Sequence, residues 1–169
     1  MGKPKLDESS LPFATIRELN QALQTRQISS VELTKFFARR LEKYGPSYNA
    51  LALLLRKPAH KAAKEADRDF KMERFRGPLQ GIPYGAKDLL AVAGHATTWG
   101  AKPYEDQVFD YDATVIDRLA KQQAILIGKL SMVELAGGGG YSSASASLQG
   151  PGLNPWNTQY WSGGSFSGS

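Results

Sequence analysis

Apolar positions along this chain recur first at helical spacing, then in short unbroken runs, and the changes between the two mark out its elements. Thr15-Ile-Arg-Glu18 has the form of a capping box, and Ile16, Leu19 and Leu23 follow on one helical face. Ser29-Ser-Val-Glu32 repeats the device. After it Leu33, Phe36, Phe37, Leu41 and Tyr44 keep helical spacing until Gly45-Pro46 ends the helix. The apolar segment from Ala50 to Leu55 predicts a buried strand. Pro58 suits the first turn of a third helix with a narrow face of Ala59, Ala62, Ala63, Ala66 and Phe70. Around that face Lys61, Lys64, Glu65, Asp67, Arg68, Asp69, Lys71, Glu73 and Arg74 alternate in sign, which predicts a solvated, ion-paired surface.

The texture changes after Gly77. Ile82 to Ala86 reads as a strand or extended segment, and Leu89 to Ala93 as another apolar piece. Gly94 to Asp110 reads as a loop holding Thr97, Thr98 and Trp99. Thr114 to Gln122 predicts a helix with Val115, Ile116 and Leu119 turned inward, and Ala124 to Gly128 a buried, β-branched strand. The alternation predicts an α/β protein with a mixed, mostly buried sheet covered by helices. Residues 1–10 are expected to be a flexible N-terminus, and 11–169 to belong to a single domain. From Gly137 onward glycine and serine dominate, yet Trp156, Tyr160 and Trp161 argue for an ordered, irregular segment lining a site instead of a linker.

Composition narrows the classes. The 169 residues are 41% hydrophobic and 22% charged, as in a globular domain. No apolar run approaches the roughly 18 residues of a membrane span, and the N-terminus lacks the apolar stretch of a secretion signal. Leu6 breaks the myristoylation pattern. Cysteine is absent, which removes thiol catalysis and Cys-zinc sites and permits a cytoplasmic location. The net charge of +5 is spread among acids without an aromatic-plus-basic motif, so neither nucleic acid nor membrane is expected as a direct partner.

Two residues stand out chemically. Lys87 follows the apolar, Gly/Pro-punctuated run Gly81-Ile-Pro-Tyr-Gly85. A lysine beside a buried strand either reaches solvent or a salt bridge, or sits desolvated with a depressed pKa and becomes a base. Ser165 lies in Gly163-Gly-Ser-Phe-Ser-Gly168, which reads either as a flexible linker or as a turn presenting a hydroxyl. The string is neither a phosphate loop nor a nucleophile elbow. His60 and His95 are isolated and read as surface residues, so no metal and no cofactor is expected.

Together these segments carry a resemblance. Gly77-Pro-Leu-Gln-Gly-Ile-Pro-Tyr-Gly-Ala-Lys-Asp88 resembles the lysine segment of the amidase signature family. Gly128-Lys-Leu-Ser-Met-Val-Glu-Leu-Ala136 resembles its next strand and turn, and Asn154-Pro-Trp156 with Gly163-Gly-Ser165 its approach to the serine motif. Order and spacing agree from about Leu11 to Ser169. The resemblance implies a truncated amidase signature fold, with Lys87 as general base and Ser165 as the bridging serine, whose peptide bond is cis in the family. It also implies that Met132, Gly163 and Gly164 line the substrate. Neutral lysine would deprotonate the bridging serine, which deprotonates a nucleophilic serine; this attacks the amide to give an acyl-enzyme that water cleaves. The implied partner is a small-molecule amide, and the assembly considered is a homodimer.

The sequence departs from the family at two places. Phe166 stands where a second serine is usual, and the family's nucleophile lies about two dozen residues past the bridging serine, beyond Ser169. Ser167 and Ser169 are too close to Ser165 to replace it. The expectation is therefore the N-terminal portion of an amidase, inactive alone. The alternatives are the A subunit of a glutamine-dependent tRNA amidotransferase, and a non-catalytic truncated binding or interaction fragment.

Overall fold

A computed structural model describes residues 7–137 and 146–162 of the chain. Among these residues four α-helices, α1 (Ile16–Gln24), α2 (Ser30–Tyr44), α3 (Arg56–Lys71) and α4 (Thr114–Lys121), surround a three-stranded sheet of β1 (Leu51–Leu54), β2 (Pro83–Lys87) and β3 (Ile125–Leu130). The strand order is β1-β3-β2. β2 and β3 are parallel and joined through α4, as a parallel pair requires a crossover, while β1 runs antiparallel along the other edge of β3. This is the mixed α/β architecture expected from the alternation of elements.

Both predicted capping boxes form. Thr15 and Glu18 close the first turn of α1, and Ser29 and Glu32 that of α2. Each acid is held below its ordinary carboxylate range by hydrogen bonds from its capping partner: at Glu18 the backbone N–H of Thr15 leads, at Glu32 the Ser29 hydroxyl. The start of α2 has a second cap. Asp67 of α3 accepts from the N–H of Ser30 at 2.6 Å and of Val31 at 3.1 Å, so one carboxylate satisfies two free donors and ties the helices together. The alanine face of α3 lets it approach closely: Ala59, Ala63, Ala66 and Phe70 join Leu19, Leu23, Leu33, Ile82, Ile125 and Ile127 in one core. A smaller cluster of Leu55, Ala86, Val92 and Ile116 lies under α4.

Several apolar positions face the other way. Ile16 is 52% exposed because Ala22, with Leu19 and Leu23, completes the buried stripe of α1. On α4 only Ile116 is buried; Val115 is exposed and Leu119 half-buried, since the small cluster offers room for one large side chain. Tyr44 is exposed at the end of α2. β1 is half-buried along its length, as suits an edge strand, and β3 continues past Gly128 to Leu130. The charged surface of α3 is also not wholly solvated. Asp69 is buried, where it accepts from Arg76 Nε at 2.7 Å and Gln123 Nε2 at 2.9 Å, and the Arg76 bond first holds its carboxyl below the usual range.

Candidate active site

Lys87 is the last residue of β2, placed there by the apolar run from Ile82 and by a parallel register that pairs it with Leu130. Residues paired in a sheet share a face and successive residues alternate, so Lys87 lies with Leu130, while Ala86 lies with Lys129 on the opposite face. Its side chain is half-buried, with no hydrogen bond or ion pair to its ammonium among the described residues. Partial burial pushes its pKa below the ordinary lysine value of 10.5. In β2 itself, burial first and the charge of Asp112 second raise the Tyr84 phenol to about 12, so it stays protonated.

Behind Lys87 the chain builds a polar knot that reading the sequence missed. Asp88 and Lys129 are fully buried, with Oδ1 and Nζ 2.7 Å apart in an ionic contact outside hydrogen-bond alignment. The other carboxylate oxygen accepts from the Thr98 N–H at 3.1 Å and from the Thr98 hydroxyl. Lys129 donates to the Ala96 carbonyl at 2.9 Å and to the Thr97 hydroxyl. Burial lowers the Lys129 pKa, and Asp88 opposes that shift. The clue in the sequence is a lysine within an apolar run, whose charge needs a partner, and a Thr-Thr pair in the loop just before Trp99.

The backbone continues the knot. The Asp88 N–H donates to Leu130 O at 2.9 Å and its carbonyl accepts from Trp99 at 3.3 Å. Trp99 has a positive φ of 52°, its ring packs on Tyr104 and Phe109, and Gly100 follows at φ 69°. A Cβ on Gly100 would come within 2.5 Å of the Met132 carbonyl oxygen, so only glycine permits the approach. Met132 itself is fully enclosed.

Leu135 donates to Trp99 O at 2.8 Å and Leu148 to Gly100 O at 2.7 Å, which brings residues 146–162 against this loop. That segment is ordered and irregular, with a single bridge between Leu153 and Trp161, while Trp156 is 95% exposed and Tyr160 exposed. Gly163, Gly164 and Ser165 lie outside the described residues, as do Phe166, Ser167 and Ser169. His60 and His95 are both half-buried and far apart in the chain. Among the described residues no cluster of three or more His, Cys, Asp or Glu could hold a metal ion, and no helix is long and apolar enough to cross a membrane.

The strand end that carries Lys87, backed by the buried Asp88–Lys129 pair, lies within a stretch that matches a known family. The amidase family model matches residues 32–169, and the chain belongs to that family. AmiD of Mycobacterium tuberculosis, named as an amidase, is 36% identical over 165 residues, covering 98% of this chain and 34% of that protein. The glutamyl-tRNA(Gln) amidotransferase A subunit of Azoarcus sp. is 42% identical over 156 residues, covering 92% of this chain and 31% of its own length. The crystal structure of the peptide amidase of Stenotrophomonas maltophilia superposes with a TM-score of 0.81 at 29% identity, covering 94% of this chain and 34% of that enzyme. The chain thus spans about a third of the length of the relatives it matches.

Proposed function

We propose that the protein carrying these residues hydrolyses a carbon–nitrogen amide bond to an acid and ammonia or an amine. The observation that carries this reading is Lys87, held at the end of β2 with its pKa depressed and no countercharge on its amine among the described residues. A neutral amine accepts a proton, whereas an ion-paired ammonium does not. In the proposed cycle Lys87 takes the proton of the Ser165 hydroxyl, and Ser165 takes that of a nucleophilic serine not among these 169 residues. The serine oxygen bonds to the amide carbon, the C–N bond breaks as the nitrogen gains the relayed proton, and water then cleaves the ester. Gly163 and Gly164, and Met132 through the wall behind the loop, shape the substrate side. No metal or cofactor is required.

Ammonia release from aliphatic, aromatic and peptide amides by the full-length protein tests the reading. Lys87→Ala and Ser165→Ala are each expected to lower kcat by about 10²–10⁴-fold. Unchanged turnover in either variant would overturn it.

The 42% identity to an amidotransferase component favours one second reading, in which the amide is glutamine and the ammonia passes to a misacylated tRNA through partner subunits. Glutamine as the sole amide cleaved, with release dependent on co-purifying subunits, would select it. Turnover of unrelated amides by the isolated protein selects the stand-alone hydrolase.

A further inference from the structure

Most of the acids and bases in this chain lie at the surface, but one oppositely charged pair has no contact with solvent and no part in the proposed proton relay. We infer that Asp88 and Lys129 are a positioning pair for Lys87: they clamp the strand end that carries it and cancel each other's charge, leaving its amine without a counterion among the described residues. The inference rests on the amidase reading for its purpose, though not for its test.

Geometry supports the clamp. The residue after Lys87 is fixed by its N–H on Leu130, by its carbonyl under Trp99, and by both carboxylate oxygens on Lys129 and Thr98. Lys129 in turn holds the loop through Ala96 and Thr97. A residue pinned at four points, two on its main chain and two on its carboxylate, cannot rotate without breaking a buried contact, so the backbone of β2 is fixed where Lys87 leaves the sheet.

Charge supports the second half. Asp88 is the nearest acid to Lys87 along the chain, and alternation turns it to the face of Lys129. An unpaired carboxylate there would draw a proton onto the neighbouring amine and raise its pKa. The ionisable groups on elements packed against β2 are Glu32, Lys35, Arg39, Arg40, Glu42, Lys43 and Tyr44 of α2 and Lys129 of β3; the adjoining loops bring Tyr48, Asp88, His95, Asp112 and Glu134, and the strand itself Tyr84. Of these only Asp88 and Lys129 are buried, so only their fields reach Lys87 with little screening from water.

The two members therefore act on Lys87 with opposite signs, an outcome that a purely structural contact does not produce. Trace acetylation with isotope-coded acetic anhydride from pH 7 to 11, read by mass spectrometry on the Lys87 peptide, gives the amine's midpoint directly. Lys129→Met is expected to raise the midpoint by about half a unit to one unit, and Asp88→Asn to lower it by a similar amount. The double variant, neutral like the native pair, should return it to within about 0.3 units of wild type.

Equal midpoints in both single variants, or shifts of the same sign, would overturn the inference. If a single variant does not fold, the double variant decides, and a displaced midpoint there overturns it. Labelling reads Lys87 whether or not the protein cleaves amides. Missing hydrolysis sinks the functional reading alone, and missing shifts sink the role of the pair alone.

Discussion

Lys87 and Lys129 leave adjacent strands of one sheet and differ in almost every respect. Lys129 is enclosed, and Asp88 compensates it. Lys87 is half-buried and has no acid paired to it among the described residues, and desolvation sets the direction of its pKa. Folding must therefore bear the cost of burying a charged Lys87 whenever the pH is below its lowered folded-state value. Between that value and the unfolded value of 10.5 the folded chain binds fewer protons than the unfolded one, so stability rises with pH and the cost vanishes at the upper end. Lys87→Met removes the titration. Its urea-unfolding free energy should exceed that of wild type by a constant amount at neutral pH, and the gap should narrow only between the lowered folded-state value and pH 10.5. A gap independent of pH would mean that Lys87 carries the ordinary lysine pKa in the fold.

Helix ends show what could be read locally. Thr15, Glu18, Ser29 and Glu32 sit three residues apart in each box, and local hydrogen bonds close both turns as the spacing requires. Ser29→Ala removes the side-chain acceptor of one orphan N–H, with an expected loss of about 1 kcal/mol in chemical denaturation. Asp67 still covers the neighbouring donors of Ser30 and Val31, so α2 should keep its helicity by circular dichroism in that variant. The bonds that escaped a reading of the chain are those between distant residues. Asp67 meets Ser30 from 37 positions away, and Asp69 meets Gln123 from 54. Alternating signs on α3 cannot separate an acid that caps another helix from one that faces water. For the same reason Lys129 lies just past the strand expected from Ala124 to Gly128, and its acid comes from the residue after β2. The lysine at the end of β2 was legible because apolar run, turn residues and charge all lie within one short segment; whether Ser165 meets it depends on residues outside those described.

At the scale of the whole molecule, the sheet order makes β3 the central strand. It is bonded on one side to β1 and on the other to β2, and Ile125 and Ile127 lie in the larger core. The loop from Gly94 to Asp110 reaches that centre through the polar knot at Lys129 and through Gly100 against Met132. Residues 146–162 attach more lightly: backbone bonds to Glu134, Gly100 and Tyr48, the Asn49 amide on Pro151 at 2.9 Å, and no buried apolar side chain. Opening free energy follows the apolar contact and paired backbone that a segment must surrender. Native-state hydrogen exchange should thus grade the chain, with β3 amides exchanging only on global unfolding, α2 and α3 next, and residues 146–162 first. The loop amides of Thr98 and Trp99 should follow β3 more closely than their irregular backbone suggests, because opening them exposes the buried Asp88. Protection of Thr98 and Trp99 no greater than that of residues 146–162 would show that the ion pair does not tie the loop to the sheet, and with it that the strand end carrying Lys87 is not held from behind.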